Sequence, residues 1–549
     1  MPVVNNCFNY AQTQLKNKNI YQLILLVFFI IICAIRIHLL PVALERDEGE
    51  YAYSGQLILQ GIPPFAQAYN MKMPGIYVAY AAVLGIFGQT SASIHFGLLI
   101  INLLCSFALY LLGKRLYNSV VGGASAIAFA AMSLSSSVLG LSANAEYFVL
   151  VFALFGILLL LLALDKGKYW IFLFSGCMLG ICFLMKQHGA AFIGWGLLYL
   201  VWHELRNRTG AWKRLALRFG LIGAGIVLPF ALMCLWLWRA GAFKQFWFWT
   251  FTYARAYVSQ IPLWIGLHIF NTTISHIILS SPLFWILGLA GLVSLLYHKS
   301  SPAGSFFAVS FFIFSFASIC PGFYFREHYF ILLLPAVSLL SGIGLNALCA
   351  SAEGLVLRPF TGYVLFGTII ATAVALTFFL ERHLLFQLPP QQVSRAIYGI
   401  NPFPESCVIA DSLKAWTSPK EKIAVIGSEP QIFFYSHRRS ATGYIYTYAL
   451  MEYHPFALRM QEEMIREIES VSPKYIVYVN VEISWLVRPR SYTKIFEWFN
   501  TYQKASYEIA GVADIVSPKN TVYAWGNDAK RYTPRSSSWV AVFKRKAGV

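Results

Sequence analysis

Apolar runs of about twenty residues recur along the first 380 positions, separated by short polar stretches, and then stop. A bilayer core is crossed by roughly 20 mainly apolar helical residues, so the pattern predicts eleven membrane spans. They lie at about 20–40, 93–113, 119–140, 145–164, 169–185, 189–203, 217–239, 281–298, 303–320, 329–347 and 361–380. The first is too long for the apolar core of a signal peptide and has no small-residue cleavage site, so it is read as a retained helix. A further run, 74–88, is short, carries glycine and is flanked by Pro63, Pro64 and Pro74; it is expected to lie in the membrane interface. Beyond 380 the period changes. Lys422–Ile426 and 474–479 read as buried strands, with a helix from about Pro430 and an amphipathic helix over 460–470. The expected architecture is a mainly α polytopic membrane protein, with a membrane domain over 1–380 and a C-terminal α/β domain over 381–549.

Charge fixes the orientation. The chain has 549 residues, 58% of them hydrophobic and 12% charged, with 42 Lys+Arg against 24 Asp+Glu. A soluble protein carries about 25% charge, which excludes an ordinary globular chain. The basic residues sit singly between apolar runs rather than in one stripe, which argues for a membrane partner and against nucleic acid. With Lys16 and Lys18 cytoplasmic and 74–88 left out of the count of spans, thirteen basic residues fall in cytoplasmic connections and seven in outer ones. Counting 74–88 as a span would move the Arg206–Arg218 cluster outside, against the positive-inside rule. The loop 41–92, the aromatic-rich stretch 240–280, the turn 321–328 and the tail are thereby expected on the extracytoplasmic face of the cytoplasmic membrane, with the N-terminus inside.

Nine acidic residues occur in the first 380 positions, and four of them, Glu45, Asp47, Glu48 and Glu50, fall within six positions just after the first span. Ionisable groups at a membrane face are costly unless solvated or used. Adjacent carboxylates suit either a general base tuned by its neighbours or a divalent cation, which would here sit on Asp47 and Glu48; no other cofactor is implied. Lys72, at the start of the interfacial run, places an ammonium group beside a helix N-terminus, an arrangement suited to a phosphate at headgroup depth. The five aspartates, at 47, 165, 411, 514 and 528, contain no Asp-x-Asp pair of the kind that holds a sugar nucleotide's metal. A lipid-phosphate donor fits better.

An outer loop that opens Asp47-Glu-x-x-Tyr51 and continues to Lys72-Met-Pro74, many membrane spans and an outward tail together resemble the GT-C fold glycosyltransferases. The nearest group is the bacterial one allied to protein O-mannosyltransferases and lipid A aminoarabinose transferases. The resemblance implies Asp47 as catalytic base with Glu48 as its acidic neighbour, and Lys72 as a contact for the donor phosphate. Where the aminoarabinose enzymes have an arginine three residues after the aspartate, this chain has Glu50, and Arg46 stands on the other side of Asp47 as a substitute phosphate contact. Lys186, in Lys186-Gln-His188-Gly189, resembles a lysine motif of the family and would hold a lipid phosphate.

The remaining candidates on the outer face are Tyr51, Glu146 at a helix start, His188, and the turn Arg326-Glu327-His328, where Arg326 suits a phosphate and Glu327 with His328 a metal. The aromatic run 246–249 either lines a groove for the lipid tail or marks an interfacial belt, the belt being slightly favoured. The function expected is an inverting transfer of a sugar from a polyprenyl-phosphate donor to an acceptor hydroxyl on a lipid, glycan or protein. The partners are then the donor, the acceptor and membrane lipids. A flippase for lipid-linked sugars is the alternative, although it would place its charges near the bilayer midplane in repeated halves. A catalytically inactive scaffold is a third.

Overall fold

The computed structural model describes residues 22–207, 212–258, 260–297, 302–356 and 359–547. The start of the first predicted span, and Lys16, Lys18, Arg208, Lys299 and Arg358 of the charge argument, lie outside them. Two compact units are present. One comprises Met1–Leu39, Phe96–Phe230 and Leu263–Gln387, the other Leu40–His95, Ala231–Pro262 and Leu388–Val549.

Apolar helices fill the first unit. Among the described residues six helices are long and apolar enough to cross a membrane: Ser91–Leu116, Ala145–Lys166, Trp212–Arg239, Leu263–Ser280, Pro302–Ile319 and Leu334–Ser351. Shorter apolar helices, Gln22–His38, Ser119–Met132, Tyr169–Met185, Pro282–Leu296 and Val364–Leu380, occupy other predicted spans, and Ala190–Arg206 occupies the last.

Three features depart from the apolar pattern. The span expected over 119–140 ends at Met132, and the chain turns through a short 3-10 segment, Ser136–Val138, with Leu139 left-handed at φ 51°. Serines cause the break by offering the backbone other partners, and buried charges hold it. Arg36 donates to the Ser133 carbonyl at 2.9 Å, and Glu381 accepts from the Ser135 hydroxyl at 2.5 Å and from the Ser136 amide at 3.1 Å. The span expected over 329–347 likewise begins as a 3-10 turn, Glu327–Leu332, with the helix proper starting at Leu334.

The third departure is Leu263–Ser280, an 18-residue helix in a stretch expected to be an outer loop. Its two ends rest on two turns of the same predicted face. Gly266 abuts Phe323 and Phe270 packs on Phe325 at 5.1 Å, while the Ser280 hydroxyl pairs with that of Ser137 at 2.9 Å. The helix therefore runs along these turns.

In the second unit the loop 41–92 is built of two helices, Arg46–Leu59 and Pro74–Phe87, packed through Tyr51, Tyr77 and Tyr80. Proline at the first helical position starts the second helix without losing a hydrogen bond. Gly49 lies against the tail helix Gln431–Ser436 so closely that a Cβ there would stand 2.7 Å from the Gln431 amide nitrogen. The tail forms one mixed sheet of β1 (Lys422–Ile426), β2 (Arg439–Ser440), β3 (Tyr475–Asn480), β4 (Tyr507–Ser517), β5 (Asn520–Trp525) and β6 (Trp539–Arg545), in the order β2-β1-β3-β6-β4-β5. β1 pairs in parallel with β2 and β3, and the remaining pairs are antiparallel. Both predicted strands are present as β1 and β3, and the amphipathic helix spans Ala457–Val471.

Arg46 ties the helix Arg46–Leu59 to the tail. Its Nε donates to the Ser428 carbonyl at 2.5 Å, and its two terminal nitrogens reach Tyr448, Asn401 and the Glu429 carboxylate, the last at 2.7 Å. The two charged side chains are 8% and 0% exposed, so removing one leaves the other buried and unpaired. Glu429→Ala is expected to destabilise the protein by about 3–5 kcal/mol, seen as a lower thermal midpoint of the purified protein in detergent.

Candidate active site

The four clustered acids do not act together, because the chain around them is helical rather than a loop. Glu45 is the N-cap of Arg46–Leu59. It accepts from the Glu48 amide at 3.0 Å while Glu48 Oε2 accepts from the Glu45 amide at 3.1 Å, a reciprocal capping box. Acids in a first helical turn are also favoured by the helix dipole. The other oxygen of Glu48 faces His95 Nε2 at 3.0 Å, and the residue is 1% exposed. Glu48, expected beside the base, is thus a buried cap.

Glu50 points elsewhere again. Its two oxygens accept from the Tyr77 hydroxyl at 2.6 Å and the Asn70 amide at 2.5 Å, and no part of it is exposed. Burial pushes its pKa up to about 8, with Lys72 opposing and Asp47 reinforcing the shift. It is therefore a mainly neutral carboxyl at pH 7.

Asp47 keeps an opening, its side chain 13% exposed. Oδ2 pairs with Lys72 Nζ at 2.7 Å, and Oδ1 accepts from the Tyr446 hydroxyl at 3.1 Å. The Tyr51 ring lies under the Lys72 ammonium at 5.5 Å. Burial, Asp47 and Tyr448 together raise the Tyr446 hydroxyl well above the ordinary phenol range, which keeps it a donor. The site joins three places in the chain: the start of one helix, the segment before the next, and the tail.

Arg46 is not placed for a phosphate. Its guanidinium is spent on Ser428, Asn401, Glu429 and Tyr448, contacts that no local pattern around Asp47 reveals. Tyr446 is a residue that sequence reasoning missed. The signal lay in tyrosines at every second position, 444, 446 and 448, running up to a short helix: Tyr444 bonds Glu463, Tyr446 bonds Asp47 and Tyr448 bonds Arg46. The aromatic run 246–249 is not a simple belt either, since Phe246 and Trp249 are buried, packing on Phe65 and Tyr69.

The other predicted residues gather within the other unit. Lys186, at the end of Tyr169–Met185, forms an ion pair with Glu146 in the first turn of Ala145–Lys166. The ammonium sits 4.2 Å from the centre of the Tyr329 ring, and the His188 ring packs on the same tyrosine at 4.8 Å. His328 Nε2 stands 3.9 Å from the Glu146 carboxylate. Glu327 is exposed whereas His328 is buried, so the adjacent pair does not converge on a metal. Arg326 lies over the Tyr324 ring at 5.6 Å. Asp47 and Glu48 do not converge on a cation either, the first turned to Lys72 and the second to His95. Among the described residues no three His, Cys, Asp or Glu side chains come together as metal ligands.

A family model described as dolichyl-phosphate-mannose-protein mannosyltransferase matches residues 71–238, a stretch that includes Lys72, Glu146 and Lys186. No curated protein sequence matches the chain. Among solved structures, ArnT from Cupriavidus metallidurans bound to undecaprenyl phosphate is similar over 95% of this chain and 98% of its own, with 16% identity and a TM-score of 0.57. The apo state of the same protein gives 14% identity, 94% and 97% coverage and 0.56. The Archaeoglobus fulgidus oligosaccharyltransferase in complex with Zn and sulfate gives 15% identity, 91% and 73% coverage and 0.52. The architecture shared nearly end to end with ArnT shows that this chain has the GT-C fold, and residues 71–238 within it are similar to the mannosyltransferase family.

Proposed function

We propose that the protein transfers a sugar, with inversion, from a polyprenyl-phosphate-linked donor to an acceptor hydroxyl on the extracytoplasmic face of the cytoplasmic membrane. The observation that carries this reading is the partly open Asp47 carboxylate held between Lys72 and Tyr446. The undecaprenyl phosphate bound to ArnT supports the donor class. In the proposed reaction the donor phosphate draws the Lys72 ammonium away from Asp47. The freed carboxylate oxygen takes the proton of the acceptor hydroxyl, and the acceptor oxygen attacks the anomeric carbon from the face opposite the phosphate. The bond from that carbon to the phosphate oxygen breaks, and the electron pair leaves with the polyprenyl phosphate. Lys72 offsets the charge developing there, the role of a cationic clamp in transition-state stabilisation. Tyr446 keeps the carboxylate oriented, and neutral Glu50 keeps a second negative charge away from the departing phosphate.

Transfer of radiolabelled sugar from polyprenyl phosphate by the purified protein tests the base. Asp47→Asn retains an acceptor for Tyr446 and is expected to keep the wild-type thermal midpoint while kcat falls by about 10²-fold or more. An undiminished rate in a folded variant would refute the assignment. Glu50 gives a pH test. Its pKa is about 8 in the folded protein against an ordinary 4.5 for a glutamate, so between these values the unfolded chain ionises while the folded one retains the proton. The stabilisation is fully present below 4.5 and is lost as pH rises through about 8. The thermal midpoint is therefore expected to fall across this window, and Glu50→Gln to flatten that part of the profile.

A further inference from the structure

A cleft of about 250 Å³ in the unit that contains Asp47 is walled by three separate segments of chain. Its aromatic walls are Tyr69, Phe248, Trp249, Tyr444 and Phe456. Tyr69 stacks on Trp249 at 5.9 Å and meets Tyr444 edge-on at 5.3 Å, and Phe248 meets Phe456 edge-on at 5.1 Å. Lys244, Arg459 and Glu463 supply the polar side.

The walls are fixed by bonds behind them. The Tyr444 hydroxyl donates to Glu463 at 3.0 Å. Glu467 accepts from the Thr442 hydroxyl at 2.5 Å and from the Gly443 amide at 2.9 Å. The Tyr69 amide donates to the Gly443 carbonyl at 2.7 Å, and a Cβ at Gly443 would lie 2.1 Å from the Tyr69 ring. Only glycine allows that ring to reach the cleft.

Aromatic faces beside a carboxylate, a guanidinium and an ammonium suit a pyranose. Its C–H face packs on a ring while its hydroxyls donate to the carboxylate and accept from the cations. A lipid tail would leave these charges facing hydrocarbon without a partner, at a high desolvation cost. The volume is below the roughly 300–1,000 Å³ of pockets that hold drug-sized ligands, which matches a single sugar ring.

Two short segments connect the cleft to the base. Tyr69 is three residues before Lys72, and Tyr444 is two residues before Tyr446. An extended chain spans at most about 3.6 Å per residue, so these Cα atoms lie within about 11 Å and about 7 Å of those that hold Asp47. That is the reach of one neighbouring sugar unit.

Resting on the transferase reading above, we propose that this cleft is an acceptor subsite that holds one saccharide residue while its neighbour presents a hydroxyl to Asp47, so that the acceptor is a glycan. The test is binding of a panel of defined disaccharides, with hexapeptides alongside, to the full-length protein in nanodiscs by saturation-transfer NMR. At least one disaccharide is expected to bind. Phe456→Ala and Arg459→Ala, both at partly or fully exposed positions, are each expected to weaken that binding about tenfold at an unchanged thermal midpoint. Absence of disaccharide binding, binding of peptides instead, or binding indifferent to both substitutions would overturn the proposal. Release of undecaprenyl phosphate from undecaprenyl-phosphate-linked sugars, measured in parallel, separates the two claims. Release without saccharide binding removes the subsite alone, whereas saccharide binding without release removes the transferase reading beneath it.

Discussion

A charged or ionisable group withdrawn from water must find a partner, and the start of the helix Arg46–Leu59, with its N-cap Glu45, brings five of them to one short stretch. Glu45 and Glu48 are answered by each other's backbone, and the other partners come from farther along the chain: His95 for Glu48, Glu429 for Arg46, Lys72 for Asp47, and Tyr77 and Asn70 for Glu50. Because breaking a buried pair costs several kcal/mol, the Arg46–Glu429 pair fixes where the tail must pack, while Glu50 ties down the following segment and helix through Asn70 and Tyr77. The tail is thus part of the framework that holds Asp47. Its strands β1 and β3 support the loops carrying Glu429 and the alternating tyrosines.

The same pairing separates the roles of the acids. Two carboxylates are committed to capping and one is neutralised by burial, which leaves Asp47 as the carboxylate with an opening and a cation at hydrogen-bond distance. An ion pair at a partly exposed position is readily exchanged, since its Coulomb energy is moderated by water. Lys72 can therefore serve a carboxylate in the resting state and a phosphate when the donor is present.

Much of the fold was legible in the sequence because membrane spans are written as long apolar runs. Their interruptions were less so. The break at Ser133 depends on Arg36 and Glu381, nearly a hundred and some two hundred and fifty residues away, and Leu263–Ser280 was expected as part of an outer loop, its 18-residue helix being fixed by turns that lie far from it in the chain. The acidic cluster drew attention to this stretch, yet its spacing did not tell a capping carboxylate from one paired with a lysine. That distinction came from the capping geometry of a helix where a loop was expected. Arg46 was read as a phosphate contact because Glu429 is 383 residues away. Tyr446 and the aromatic cleft were missed for the same reason: the tail's contribution to the site exists only in three dimensions.

The central claim is that the donor phosphate and Asp47 compete for Lys72. A structure of the full-length protein with undecaprenyl phosphate bound tests it most directly. The account predicts Lys72 Nζ on a phosphate oxygen, with Asp47 released from it and still held by Tyr446. A phosphate bound elsewhere, with the Lys72–Asp47 pair intact at its present 2.7 Å, would contradict it.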